Sequence, residues 1–240
     1  MNNTETKFEK VKKKYALNNS YFKNRNYGMP SNPAEVYQYF NEYGELPYEN
    51  GELNDNWIYE CFVEFQKRNG VYNSQFFTPE NTAQELVYRL LNYANLDDEI
   101  LEPCCGFGQI TRTLANNGFQ KVVAFDNDAK LVEIASDFIP GFEIVEDDYM
   151  SSKDERKYEF IISNPPYEVK ELTAFLEYSL SKLHTKGKTV LLIPNGFLDK
   201  TRPAALVKVL NGFSILERIP MLEEFARTKI NAEIVVLEKI

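Results

Sequence analysis

From residue 100 onward, short apolar runs alternate with segments of amphipathic helical spacing. The predicted strands are 100–101, 121–125, 142–145, 160–163 and 189–193, and the predicted helices are 109–117, 129–137, 172–183 and 204–210. Strands separated by helices pair in parallel, because each crossover returns the chain to the same edge of the sheet. Two late runs, 214–219 and 233–237, predict an antiparallel hairpin. We therefore expect an α/β fold with a doubly wound, mostly parallel seven-stranded sheet and an antiparallel C-terminal hairpin.

The first part of the chain has a different character. Residues 1–30 are basic and rich in asparagine, which is typical of a partly ordered arm or of a solubilising tail. Helical spacing at 34–43 and 57–69, with a loop between these segments, predicts a helical N-terminal extension. We divide the chain into this basic arm with its extension, residues 1–70, and a larger α/β domain, residues 71–240.

The composition argues against several classes of site. Cys61, Cys104 and Cys105 lack CxxC spacing, which disfavours both a disulfide framework and a zinc site. A single histidine, His184, gives little support to Ser-His-Asp catalysis. No apolar run reaches the roughly 18 residues of a membrane span, and no secretory signal begins the sequence, so we expect a cytoplasmic protein. The formal net charge of −9 counts against a broad nucleic-acid surface, because Lys and Arg supply most of the affinity for phosphates.

The segment LEPCCGFG, residues 101–108, follows a predicted strand and precedes a predicted helix. Gly106 and Gly108 allow a tight turn and a close approach of the backbone to a ligand. A dinucleotide-binding fingerprint would have a third glycine at the position of Thr111, where it serves helix packing beneath a pyrophosphate. S-adenosylmethionine has no phosphate and does not need that glycine. The segment therefore favours S-adenosylmethionine over a nicotinamide cofactor.

Three carboxylates follow three successive predicted strands: Glu102, Asp126 and Asp148. We expect Glu102 to hold the cationic amino-acid part of the cofactor, directly or through water. Asp126 would accept hydrogen bonds from both ribose hydroxyls, and Asp148 from the amine of the cofactor's adenine. Each acid alone could equally be a helix cap or a solvated loop residue. Their shared edge of the sheet favours a common ligand.

The sequence NPPY, Asn164 to Tyr167, ends a predicted strand. Pro165 and Pro166 stiffen this stretch and remove two amide donors. The side-chain oxygen of Asn164 and the carbonyl of Pro165 are then two fixed acceptors, which suit a planar amine. Binding both N–H bonds draws the nitrogen lone pair out of ring conjugation, so that it can attack a sulfonium methyl group in line. Tyr167 is expected to stack on the flat substrate.

Three motifs in this order, QFFTP (75–79), LEPCCGFG (101–108) and NPPY (164–167), resemble the gamma-type amino-methyltransferases of bacterial restriction–modification systems. The resemblance covers residues 75–240 and implies a Rossmann-like class I methyltransferase domain that methylates N6 of adenine in DNA. NPPY alone also occurs in N5-glutamine protein methyltransferases and in some RNA methyltransferases, whereas QFFTP is more specific to DNA adenine enzymes.

The resemblance also implies residue roles at the cofactor. Phe77, Thr78 and Pro79 help to close over the methionine part, and Thr78 with Pro79 also predicts a helix start, with threonine at the N-cap and proline in the first turn. Asn127 lies beside the cofactor's adenine. The remaining residues expected to border the cofactor are Pro103, Cys104 and Asn164.

The resemblance also implies that Phe225 stacks on the second face of a flipped base. An equal alternative is that Phe225 is a core residue of the late hairpin. Basic side chains near the same ligand-facing loops are expected to contact phosphates around the extruded adenine. These side chains are Lys200, Arg202, Arg227 and Lys229.

Members of this family usually carry a separate target-recognition domain of on the order of 100 residues or more, and none is evident here. Three explanations stay open: a partner protein or separate specificity subunit, weak sequence specificity, or recognition by residues 1–70. Two other functions also stay open. One is methylation of a protein glutamine or of RNA adenine, and the other is a non-catalytic cofactor-binding subunit or decoy. The origin is expected to be prokaryotic, phage or mobile-element.

Overall fold

The computed structural model describes residues 48–49, 52–53, 78–139, 141–199, 203–221 and 231–240. The chain divides into two compact units, Met1–Asn73 and Ser74–Ile240. In the first unit, β1 (Tyr48–Glu49) and β2 (Glu52–Leu53) form a short antiparallel pair. This pair occupies the predicted loop, and the helices predicted at 34–43 and 57–69 lie outside the described residues.

The second unit alternates helices and strands. Its elements are α1 (Glu80–Leu91), β3 (Glu99–Glu102), α2 (Gln109–Asn116), β4 (Lys121–Asp126), α3 (Ala129–Phe138), β5 (Glu143–Glu146), β6 (Tyr158–Ser163), α4 (Val169–Lys182), β7 (Leu183–Pro194), α5 (Ala204–Leu210), β8 (Phe213–Pro220) and β9 (Ala232–Lys239). Seven strands form one sheet in the order β5-β4-β3-β6-β7-β9-β8. The first five in this order pair in parallel, and β9 is antiparallel to both β7 and β8. The predicted doubly wound sheet and C-terminal hairpin are confirmed.

Apolar side chains cover both faces of the sheet. Neighbouring residues of a strand point to opposite faces, so Ile100 belongs to the core beneath α1 and α2, and Leu101 belongs to the core that includes α4 and α5. A sheet that is buried on both faces reads as continuous apolar runs, which is why the strands were visible in the sequence. Among the described residues, no helix has the length and apolar character needed to cross a membrane.

Two predicted boundaries are wrong in informative ways. Helix α1 begins at Glu80 with Pro79 at its N-cap, and Thr78 lies outside the helix and forms no cap hydrogen bond. The hydroxyl of Thr78 instead accepts a hydrogen bond from the side-chain amide of Asn164. Strand β7 begins at Leu183, before the predicted 189–193, because its polar first half is exposed and gives no apolar signal.

Candidate functional site

The carboxyl ends of three adjacent strands meet at one edge of the sheet. β3 ends at Glu102, β4 ends at Asp126, and β6 leads directly into Asn164. β3 lies between β4 and β6, so the chain order reverses at this point. Open α/β sheets bind their ligands at such a reversal, outside the carboxyl ends of the strands.

The glycine loop between β3 and α2 is fastened to β4. The backbone N–H of Cys105 donates to the carbonyl of Phe125 at 2.9 Å. Gly106 has φ +56° and Gly108 has φ +89°, in the left-handed region that favours glycine. A Cβ atom at Gly108 would lie 2.5 Å from Cδ1 of Ile139 and 3.2 Å from Cβ of Ala135. Gly108 is therefore required for packing against α3 and its C-terminal end as well as for the turn.

Asp126 is held against this glycine loop. Its Oδ2 accepts the N–H of Gly106 at 2.7 Å, and its Oδ1 accepts the N–H of Asp128 at 3.0 Å. Burial raises the pKa of Asp126, and these N–H donors act in the opposite direction. Each carboxylate oxygen can accept more than one hydrogen bond, so this arrangement is compatible with hydroxyl donors as well. Asn127, which follows, is exposed.

Glu102 is fully buried at the end of β3. The hydroxyl and the backbone N–H of Thr111, in the first turn of α2, both donate to its carboxylate. Burial raises the pKa of Glu102 from its ordinary 4.5 to about 8, the hydrogen bonds of Thr111 lower it, and the charge of Asp126 raises it further. At neutral pH the carboxyl group is largely protonated, and a neighbouring cation would favour its ionised form. The sequence analysis considered Thr111 only because it stands where a dinucleotide-binding fingerprint has its third glycine, and the contact of Thr111 with Glu102 was not predicted.

Replacement of Glu102 by Gln is expected to stabilise the chain at high pH. The folded-state pKa is raised above the ordinary value, so the favourable contribution is complete at low pH and is lost as the pH rises through about 8. Between about pH 4.5 and about pH 8, the free energy of unfolding of wild type should fall relative to the Glu102→Gln variant by about 1.4 kcal/mol per pH unit, and the difference should stay constant at higher pH. Urea unfolding at about pH 5 and about pH 8.5 measures this difference.

Glu99→Gln is the matched control, because Glu99 begins the same strand and is exposed. This control should show little such pH dependence. A Glu102→Gln variant whose stability parallels that of wild type at both pH values would contradict the assigned pKa.

Asp148 lies two residues beyond the end of β5, and not at the strand end that the sequence predicts. It is exposed, and its Oδ1 accepts the N–H of Met150 at 2.9 Å. Its main-chain carbonyl accepts the N–H of Ser151 at 2.9 Å. The Asp148 side chain thus stabilises a local turn at this edge, and its contact with adenine stays a prediction.

The NPPY segment leads from β6 towards α4. Nδ2 of Asn164 donates to the hydroxyl of Thr78 at 3.2 Å, across 86 residues of sequence. Thr78 and Pro165 are buried, and Pro166 is partly buried. Burial raises the pKa of Tyr167 far above its usual range, so its phenol is neutral. The structure therefore brings two of the three sequence motifs together at the carboxyl end of β6.

The thiol of Cys104 lies in the same region. Burial raises the pKa of Cys104 well above its usual value, and the negative charges of Asp126 and Glu102 add to the increase. A neutral thiol is a poor nucleophile, so the raised pKa argues against nucleophilic catalysis by Cys104. Pro103, which precedes it, is buried.

Six predicted site residues lie outside the described residues: Phe77, Lys200, Arg202, Phe225, Arg227 and Lys229. An ion-pair network that the sequence analysis missed joins the segments next to them. Arg218 donates to both oxygens of Asp199 at 2.7 Å and to both oxygens of the buried Glu233 at 2.9 Å. Glu233 also accepts the N–H of Gly196 at 3.0 Å. The turn after β7 is thereby fixed to the β8–β9 hairpin. Within the described part of the chain, no cluster of His, Cys, Asp and Glu could hold a metal ion.

The family model of the methyltransferase small domain matches residues 63–218. The chain is similar to the type II methyltransferase M.AccI of Acinetobacter calcoaceticus, with 29% identity over 155 residues. That alignment covers 52% of this chain and 28% of the relative, so the match concerns under a third of that protein.

Two solved structures share the fold. One is a Vibrio vulnificus YJ016 protein assigned as the modification subunit of a type I restriction enzyme, with TM-score 0.59, 15% identity, and coverage of 76% of this chain and 48% of that chain. The other is magnesium protoporphyrin IX methyltransferase from Synechocystis PCC 6803 with bound S-adenosylmethionine, with TM-score 0.55, 16% identity and full coverage of both chains. At these identities the likeness concerns the fold alone, and a fold does not determine a substrate.

Proposed function

The chain belongs to the methyltransferase small domain family, and we propose that it transfers a methyl group from S-adenosylmethionine to the N6 amine of adenine in DNA. Its fold is that of the class I S-adenosylmethionine-dependent methyltransferases. The observation that carries the proposal is the position of the NPPY segment, directly after the strand that pairs with β3 and its glycine loop.

The residues at the edge of the sheet fit S-adenosylmethionine. Gly108 packs directly against Ile139 and Ala135, where a Cβ atom would clash, and this close packing holds the glycine loop in place beside Asp126. Asp126 carries the carboxylate that suits ribose hydroxyls, and the buried carboxyl group of Glu102 suits a cation. Phe77, Thr78, Pro79, Pro103, Cys104, Asn127 and Asp148 complete the proposed cofactor set. Bound S-adenosylmethionine supplies an electrophilic methyl group on a sulfonium centre.

In the proposed mechanism, Asn164 and Pro165 act on the substrate amine. Oδ1 of Asn164 and the carbonyl of Pro165 would each accept a hydrogen bond from the amine, which concentrates the lone pair on nitrogen for in-line attack on the methyl group. The N–C bond would form as the methyl–sulfur bond breaks, and the methylated nitrogen would then release one proton to solvent. Tyr167, as a neutral phenol, stacks on the base, and Phe225 stacks on its other face. Rate enhancement then comes from positioning and fixed dipoles, and no strong base is required. His184, the single histidine of the sequence, is exposed at the amino end of β7, whereas the proposed site lies at the carboxyl ends of the parallel strands.

DNA is the proposed substrate because the sequence relatives are type II methyltransferases and the QFFTP and NPPY motifs occur together. The alternatives are protein glutamine and RNA adenine. Incubation of the 240-residue chain with methyl-labelled S-adenosylmethionine and equal masses of unmethylated plasmid DNA, transfer RNA and bacterial protein extract discriminates among them. We expect label in DNA, and label in RNA or protein alone would refute this substrate.

The proposal also includes phosphate contacts by Lys200, Arg202, Arg227 and Lys229. Replacement of all four by alanine should weaken DNA binding and reduce the slope of log affinity against log salt by about 3 to 4, since each phosphate contact contributes roughly 0.9. Fluorescence anisotropy with duplex DNA from about 50 to 200 mM salt measures this slope. A matched control removes four exposed lysines away from the carboxyl ends of the strands: Lys121, Lys157, Lys186 and Lys208. An equal loss of slope in both variants would show that overall charge alone matters.

A further inference from the structure

The contact between Thr78 and Asn164 joins the segment before α1 to the end of β6. We propose that Thr78 is a positioning residue for methyl transfer, whose hydroxyl group orients the side-chain amide of Asn164. The inference rests on the proposed function, because it concerns which end of that amide is presented to the substrate amine. It gives Thr78 a role distinct from covering the methionine part of the cofactor.

The two ends of an asparagine amide have opposite hydrogen-bonding character. Rotation of the amide by about 180° exchanges an acceptor for a donor, and a donor facing an amine would oppose binding. Nδ2 of Asn164 donates to Oγ1 of Thr78 at 3.2 Å, so the nitrogen end is directed at Thr78. The oxygen Oδ1 therefore lies at the other end of the amide, as an acceptor for an N–H bond.

The position of Thr78 is set by packing of the larger unit. Helix α1 begins two residues later and buries one face, including Ala83 and Leu86, in the same core as Ile162 of β6. Ile162 lies two residues before Asn164, so one core fixes both ends of the contact. Thr78 itself is 6% exposed, which limits competition from water for its hydroxyl. A functional group supported by such packing keeps the geometry that catalysis requires.

Replacement of Thr78 by Val removes the hydroxyl and keeps the shape of the side chain. We expect kcat to fall by about 10- to 100-fold, because small misplacements of a catalytic group have effects of this size. KM for S-adenosylmethionine should change by less than about 3-fold, since binding common to ground state and transition state is retained. Thr78→Ser keeps the hydroxyl and should recover most of kcat. Thr82→Val, at a buried threonine of α1, is the control for loss of a threonine from this region.

A second readout does not depend on activity. In chain labelled with ¹⁵N-asparagine, the side-chain NH₂ resonance of Asn164, assigned by its absence in Asn164→Ala, should move in Thr78→Val and stay in place in Thr78→Ser. If wild type transfers no methyl group to DNA, the proposed function fails, and this resonance still tests the Thr78 contact. The assignment is overturned if Thr78→Ser is as slow as Thr78→Val, if only KM for S-adenosylmethionine rises, or if the resonance does not respond to Thr78→Val.

Discussion

Asn164→Ala is expected to lower the rate of methyl transfer by about 10²- to 10³-fold, the loss seen when one preorganised hydrogen-bonding group is removed from a reacting centre. The variant loses the side-chain acceptor that holds the amine and keeps the carbonyl of Pro165. The lone pair then stays in conjugation with the ring, and the amine is no longer fixed towards the methyl group. Single-turnover transfer to DNA measures the chemical step, and calorimetry measures cofactor affinity separately.

Cofactor affinity should change much less than the rate, because the glycine loop, Glu102 and Asp126 are untouched. The matched control is Asn116→Ala, at an exposed asparagine that ends α2. It should have the rate and cofactor affinity of wild type. If Asn164→Ala retained the wild-type rate, the acceptor mechanism would be wrong.

Gly108→Ala is expected to have the largest effect on stability, with a loss of about 2 to 5 kcal/mol in the free energy of unfolding. A left-handed backbone costs an alanine about 1 to 2 kcal/mol, and overpacking costs about 1 to 3 kcal/mol. Both apply here, because φ is +89° and the new Cβ would meet Ile139 at 2.5 Å and Ala135 at 3.2 Å. The glycine loop would shift, so cofactor binding should weaken as well. Urea unfolding and calorimetry measure the two effects.

Gly118 provides a close control. Its φ of +86° nearly equals that of Gly108, and a Cβ atom there would meet only Cδ1 of Leu96, at an ordinary 3.6 Å. Gly118→Ala should therefore show the conformational cost without the steric one. Adding Ile139→Val to Gly108→Ala removes the closest atom and should recover part of the loss, which a double-mutant cycle isolates. Equal losses in Gly108→Ala and Gly118→Ala would mean that packing against α3 does not matter.

The sequence allowed the fold to be predicted because both faces of the sheet are buried. Continuous apolar runs made β4, β6 and the core of β7 visible, whereas the polar first half of β7 gave no signal. The resemblance to restriction–modification methyltransferases, which three motifs indicated, is confirmed by the family match and by similarity to M.AccI.

The site was predictable where it depends on consecutive strand ends. Gly106 and Asp126 were expected at one edge of the sheet because adjacent parallel strands end there, and the hydrogen bond between them is a finding of the structure. The contact of Thr78 with Asn164 depends on how α1 packs beside β6, which no local pattern records. The pair Arg218 and Glu233 depends on the register of the hairpin, in which Arg218 lies opposite Val235 and therefore diagonal to Glu233.

The central claim is that the chain methylates N6 of adenine, and identification of the methylated nucleoside tests it most directly. Unmethylated DNA is incubated with S-adenosylmethionine and either wild type or Asn164→Ala, digested to nucleosides, and analysed by mass spectrometry against N6-methyldeoxyadenosine and N4-methyldeoxycytidine standards. We predict N6-methyldeoxyadenosine with wild type and little or none with Asn164→Ala. Methylated cytosine alone, or N6-methyldeoxyadenosine formed equally by both proteins, would contradict the account.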